Sequence, residues 1–406
     1  MAKKNYFLQI FFIFLSLFSL FKLYDNSAGH DAWQYGEWLI NYQYGFVRRG
    51  LVGEIIFLFS NLLENNIQIA FLIMISSVCI LYYYFSYQLL KQVKFNFIHY
   101  FILFSPLFYF FFVVISKVGV KKEILLYLFY IIYLLNLSSK NYNLFNNWKY
   151  FLTYFLLLFN HEVAFFYLPY LILPLLFVIK KNNLRNFIFQ IFFLSAGSLL
   201  IIIILYYNKG SLEHTLSICR SLESYAPMKC DWWGPIYALS NDLFVNNENV
   251  PNLFFYLTGD FNTNISFAFY IFYSFTPIII FLNFSNINFE NLAINKNTFF
   301  YLCILTFLFS LPLFHMTEDW SRWFSIHIHL ISFFIFYLHR NKLIHNNKSL
   351  KFRQIDDFLL GKKFKNYFMI ILFIFATAFH HHHFFFKGVK LEFTYYKIFK
   401  KIENSF

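Results

Sequence analysis

Residues 149–179 form an apolar stretch of 31 residues, interrupted near its middle by His161 and Glu162, and this stretch decides how the rest of the chain can be threaded. A membrane-spanning helix needs about 20 apolar residues. Thirty-one is too long for one span and too short for two full ones. Two solutions exist. One is a tilted helix kinked at Pro169 and Pro174; the other is a hairpin of short helices with Asn160, His161 and Glu162 at its tip.

The other apolar runs, 6–24, 66–90, 97–116, 123–138, 187–207, 264–283, 298–314, 323–338 and 367–386, are candidate spans. With 59% hydrophobic and 13% charged residues, and a mean hydropathy of +0.53, the chain belongs to the integral membrane class. The first run follows Lys3 and Lys4, and no small-residue cleavage site comes after it, so it reads as a retained span. The 64 Phe and 31 Tyr reflect lipid's tolerance of aromatic side chains and an A/T-rich codon bias. The net charge of +13 is not a nucleic-acid signal, because basic residues of membrane proteins mark loops.

Lysine and arginine counting selects the hairpin. With the N-terminus inside and 149–179 folded back, eighteen Lys and Arg fall in inner loops and ten in outer ones ahead of the C-terminal tail. A single span at 149–179 would move Lys180, Lys181, Arg185, Lys296 and the basic block 340–366 outside. Residues 51–63 are short for a span and read as an interfacial helix. The lysine-rich tail lands outside against the rule, which suits a re-entrant last run. The expected fold is therefore all-α: a polytopic transmembrane helical bundle, one integral membrane domain over 1–406. It has about 10–12 spans, a re-entrant or broken helix pair, a large periplasmic loop at 208–263 and a basic cytoplasmic loop at 340–366.

This threading collects an unusual set on the outer face. Arg48, Arg49, Arg220 and Arg322 lie there, where the charge rule does not call for arginine, so a bound anion or an ion pair is the expected reason. In NYQYGFVRRGLVGE (41–54), Arg48 and Arg49 precede an apolar helix whose free N–H groups and dipole favour an anion; the alternative is a plain interfacial anchor. SKVGVKKE (116–123) adds Lys121 and Lys122, which could equally snorkel at a helix end. His161 and Glu162 at an apolar tip read either as proton-transfer groups or as a buried ion pair. In HMTEDWSRWF (315–324), Asp319 and Arg322 can pair at i,i+3. Three Asp/Trp groupings recur on this face: Asp31 with Trp33 and Trp38, Asp231 with Trp232 and Trp233, and Asp319 with Trp320 and Trp323. Tryptophan stacks on sugars and carboxylates bind hydroxyls, so these groupings point to a carbohydrate; interfacial belt residues are the alternative. Cys219 and Cys230 can pair if their loop faces an oxidising compartment.

Walker A, HExxH and G-x-S-x-G motifs are absent, and HHHH (380–383) has no second ligand cluster, so no metal or cofactor is expected. With its many spans, large late loop and outer arginines, and with segments such as NYQYGFVRRGLVGE, the NHE tip and DWSRW, the chain resembles the polytopic polymerases of bacterial surface polysaccharides. These are the O-antigen or capsule repeat-unit polymerases of the Wzy type. The resemblance implies residence in the bacterial cytoplasmic (inner) membrane and glycosyl transfer at its periplasmic face. The donor would be an undecaprenyl-diphosphate-linked oligosaccharide, and a flippase and a chain-length regulator would be partner proteins. Glu162, or second Asp319, would be the base beside His161. Arg48 and Arg49, with Arg322, Lys121, Lys122 and Arg220, would bind diphosphate. A polyprenyl-phosphate-sugar-dependent glycosyltransferase, with Asp31 as base, and a lipid-linked glycan flippase are the rival readings.

Overall fold

The computed structural model describes residues 6–28, 35–111, 120–137, 144–178, 184–223, 234–240, 261–287, 296–316, 319–346, 350–361, 364–381 and 389–391. Three of its helices are long and apolar enough to cross a membrane: α1 (Tyr6–Ala28), the helix Ile67–Leu90 and the helix ending at Tyr207, with mean hydropathies of 1.9, 2.0 and 2.6. Their outward faces carry unpaired apolar side chains, such as Ile188, Phe189, Phe192 and Leu200. Faces of this kind require lipid as solvent. This is a membrane protein.

In chain order, α2 (Tyr35–Trp38), α3 (Leu51–Asn61), α4 (Ile67–Leu90) and α5 (Phe97–Leu103) follow α1. Next come α6 (Glu123–Asn136), α7 (Leu144–Asn160), a 3-10 turn (Glu162–Tyr167), α8 (Pro169–Val178), α9 (Leu184–Tyr207) and α10 (Leu212–Glu223). A second 3-10 turn (Tyr237–Leu239) precedes α11 (Phe261–Phe284), α12 (Lys296–Phe309), α13 (Leu311–Met316), α14 (Trp320–Arg340), α15 (Leu350–Leu360) and α16 (Lys365–Ala378). Two three-residue antiparallel ladders interrupt this helical chain. One joins β1 (Ser285–Ile287) to β2 (Ile344–Asn346), the other β3 (Phe379–His381) to β4 (Val389–Leu391).

The bundle is built round α14. Seventeen of its 21 residues are buried, as expected of a helix with neighbours on every side. It packs on α4, α6, α8 and α11. Several of its polar residues are bonded in the core. Ser325 donates to the Leu107 carbonyl at 2.9 Å, and His327 bonds Tyr170 Oη at 2.8 Å and Ser310 Oγ at 2.7 Å. His329 lies flat on the Tyr127 ring, centroids 4.1 Å apart.

The stretch 149–179 is a broken pair, not one helix. His161 is extended (φ −158°, ψ 104°), which stops α7, and Tyr154 Oη donates to the Ala164 carbonyl ten residues on. A continuous helix would separate these groups by about 15 Å. Tyr133 of α6 touches both arms: its ring meets Tyr150 of α7, and its hydroxyl donates to Leu171 of α8. Residues 150 and 171 therefore lie at one depth, with 160–162 as the tip.

Several expected spans are revised. Residues 97–116 do not make one helix: α5 ends at Leu103 and turns follow at Ser105 and Pro106, because the residue before a proline avoids the α conformation. Residues 298–314 are split at Ser310, with Pro312 in the first turn of α13, where a missing N–H costs nothing. The last run stops at Ala378 and the chain reverses through β3 and β4. The segment 340–366 is more than a linker: it holds β2 and α15, and Asp356 accepts the Phe97 N–H at 2.8 Å. At that same end Arg340 donates to the Gln88 carbonyl at 3.2 Å.

Candidate functional site

At the opposite end of α14 from Arg340, the segments assigned to the outer face converge. The stretch 41–54 is shaped by Gly53 and Glu54. The Glu54 carboxylate accepts the Tyr42 N–H and the Gln43 side-chain amide, both at 2.8 Å, and so ties the loop onto the first turn of α3. Gly53 lets the Ile40 carbonyl lie directly on α3; a Cβ there would stand 1.8 Å from that oxygen. Arg49 adopts a left-handed backbone (φ 66°), and Lys122 Nζ donates to its carbonyl at 2.7 Å. This turn aims the two arginines at the hairpin tip instead of wrapping them round the start of α3.

Arg49 Nε donates to both Glu162 oxygens, at 2.9 and 3.0 Å, and Arg48 stands 3.9 Å from the same carboxylate. Arg48 also donates to the Ala238 carbonyl at 3.0 Å and takes a backbone bond to Asn208, which brings the segment after α9 to the site. Lys121 pairs with Glu37 at 3.1 Å. Arg322 pairs with Glu123, with Asp319 at 2.7 Å and with Glu37 at 3.8 Å. His161 lies between the two halves, 3.5 Å from Glu123 and 3.9 Å from Glu162. Five cations thus face four carboxylates, one positive charge in excess before His161 is counted. Most of these groups are buried, and such ions persist only when paired.

Burial acts on each ionisable group in the loops and is offset by its partners. It would raise the Glu37 carboxyl, but Lys121 and then Arg322 outweigh it and hold the group down at about 2. Burial draws Arg48 down to about 10 against the pull of Glu162, and Lys122 down to about 7 against that of Glu37. Glu37 ordinarily titrates near 4.5, so between about 4.5 and 2 the unfolded chain binds more protons than the folded one. Stability should therefore fall as pH drops through that window. Glu37→Gln should flatten this acid limb in pH-dependent unfolding followed by circular dichroism in detergent; an unchanged limb would mean the Lys121 and Arg322 pairs do not hold this proton off.

Of the expected site residues, Arg48, Arg49, Lys121, Lys122, His161, Glu162, Asp319 and Arg322 come together. Arg220 does not: it is exposed on α10 and makes no ion pair among the described residues. Trp38 and Trp323 are corrected as sugar platforms. Both are buried, Trp38 with its indole N–H on the Val120 carbonyl, so no ring face is open to a ligand. Trp320 is 9% exposed, with its N–H on the Phe314 carbonyl, and also belongs to the packing. Asp31, Trp33, Trp232 and Trp233 lie outside the described residues. Cys219 is disulfide-bonded, and Cys230 lies outside the described residues. Glu37 and Glu123 also belong to this ion cluster, and motif reading passes over them. The signal for them was charge balance: buried cations at one end of a bundle demand carboxylates there.

Beside this cluster an apolar cavity of about 640 Å³ runs between α11, α12 and α14. Trp320, Phe324, His327 and Ile331 line it from α14, a stripe of one helix face about 16 Å long. Comparison with protein families, curated proteins and solved structures finds no match for this chain.

Proposed function

We propose that the chain is a bundle of about ten to twelve crossings that transfers glycosyl groups at the periplasmic face of a bacterial inner membrane. It would polymerise undecaprenyl-diphosphate-linked repeat units into O-antigen or capsular polysaccharide. One observation carries the reading: five cations and a carboxylate–imidazole pair, from segments spread along the chain, meet at one end of a membrane bundle beside an apolar cavity. A diphosphate on a hydrocarbon chain has the complementary chemistry, with its anion on the arginines and its chain in the cavity. The disulfide at Cys219 suits an oxidising side.

The ion pairs give the mechanism an order. The diphosphate competes with Glu162 for Arg49 and with Glu123 and Asp319 for Arg322. When Arg49 turns to the phosphate oxygens, the Glu162 carboxylate is released to accept a proton. The acceptor hydroxyl oxygen attacks the anomeric carbon and gives that proton to Glu162, and the bond to diphosphate breaks. The arginines take up the charge that grows on the leaving group. A lipid diphosphate is already a good leaving group, so this route calls on no metal. A flippase delivers the substrate and a chain-length regulator acts on the product.

In a strain deleted for the gene, complementation with wild type should restore the long-chain glycan ladder on gels. Glu162→Gln should leave single repeat units, while Asp31→Ala should keep long chains. Long chains in the deletion strain would overturn the polymerase reading, and loss with Asp31→Ala alone would favour the polyprenyl-phosphate-sugar transferase.

A further inference from the structure

A second, much smaller cavity of about 10 Å³ lies at the hairpin tip, lined by Lys122, Glu123, Asn160 and His161. All four residues are 6% exposed or less. Asn160 Oδ1, Glu123 Oε2 and both ring nitrogens of His161 make no hydrogen bond with the described protein. Lys122 Nζ uses one of its three protons on the Arg49 carbonyl and keeps two. The nearest approaches, His161 Nε2 to Glu123 Oε1 at 3.5 Å and Nδ1 to Glu162 Oε2 at 3.9 Å, lie at or beyond the limit of a direct hydrogen bond. The space matches one water, and a site that offers donors as well as acceptors suits it. The Lys122 ammonium in the wall disfavours a metal cation, and no cluster of three or more His, Cys, Asp or Glu placed to hold one occurs among the described residues.

We infer that the hairpin tip is a built binding site for a single water, held by Asn160, His161, Glu123 and Lys122, which bridges His161 to Glu123. The site stands independently of the glycosyl-transfer reading, since it needs only the tip and the start of α6. It accounts for the otherwise costly burial of Asn160 at the end of an apolar helix. It also gives the two halves of the ion cluster, one centred on Glu162 and one on Glu123, a link other than direct contact.

X-ray radiolysis of the purified protein in H₂¹⁸O tests this, because bound water labels the side chains beside it even when they are buried. Ile326 lines the cavity and Ile328 does not, and both are fully buried on the same helix. Ile326 should take up ¹⁸O about tenfold faster than Ile328. Asn160→Leu, which replaces a water ligand with an apolar group of similar size, should bring Ile326 down to the rate of Ile328; Asn160→Asp should keep it high. Equal labelling of the two isoleucines in the wild type overturns the inference, and this arm stands even if Asn160→Leu does not fold. Fast labelling that survives in a folded Asn160→Leu protein overturns it as well.

Discussion

Replacing Glu162 with alanine should destabilise the protein by about 3 kcal/mol, the lower end of the range for breaking a buried ion pair by removing one partner. The lower end applies because the Arg49 side chain keeps 20% of its exposure while that of Glu162 keeps 9%. The cost comes from what stays behind, two guanidiniums aimed at an apolar tip with no carboxylate to face them. Arg49→Met should cost a similar amount by stranding Glu162. The double variant Arg49→Met/Glu162→Ala should fall short of the sum by about 2 kcal/mol, because only Arg48 is then left without its carboxylate. Unfolding in mixed micelles measures all three. Strictly additive losses would show that Arg49 and Glu162 are neighbours without being coupled.

A comparable loss is expected from a change that touches no charge. Gly53→Ala places a methyl group 1.8 Å from the Ile40 carbonyl oxygen, 2.6 Å from its carbon and 2.9 Å from the Leu39 carbonyl carbon. All three are backbone atoms held by the loop that Glu54 ties down, so no side chain can swing aside. The first turn of α3 must move off the loop, at about 3 kcal/mol, the upper end for overpacking. Gly50→Ala makes an equally close contact, at 2.1 Å, but with the Tyr42 ring, a half-buried side chain that can rotate away, and about 1 kcal/mol is expected. Because Arg49 stands two residues ahead of α3, Gly53→Ala should also pull the guanidinium from Glu162 and reduce activity more than Gly50→Ala does. If the two alanines are equally tolerated in thermal unfolding, the close packing of α3 on residues 39–40 is not what positions Arg49.

The sequence made some of this legible and hid the rest for definite reasons. The three long helices end within a few residues of the apolar runs that announce them, because nothing but apolar length specifies a helix in lipid. The break at His161 was readable because 31 residues do not fit one crossing. Counting lysines and arginines grouped residues 48, 49, 121, 122, 162 and 322, which do meet. Shorter interruptions escaped: Ser105–Pro106 and Ser310–Pro312 leave the apolar average of their runs intact while ending a helix. Tryptophan misled in a different way. A large amphipathic ring serves a core and a ligand equally well, and only the Trp38 bond to Val120 and the burial of Trp323 decide between them. Glu37 and Glu123 were hidden because a lone carboxylate has no pattern of its own until its cation arrives from elsewhere in the chain.

That late arrival bears on how the protein is made. Arg322 is translated 199 residues after Glu123, its tightest partner, and later still than Glu37. Until α14 emerges, Glu37, Glu123 and Glu162 share a half-built membrane end with four cations and His161, but Glu123 lacks the guanidinium that pairs with it. Carboxylates left in that state are costly in lipid and must stay in contact with water or headgroups. The growing chain therefore cannot close its bundle progressively from the N-terminus. Final docking of the tip against α6 waits for the helix that fills the middle, so the step that completes the ion cluster is also the step that commits the nascent chain to its fold.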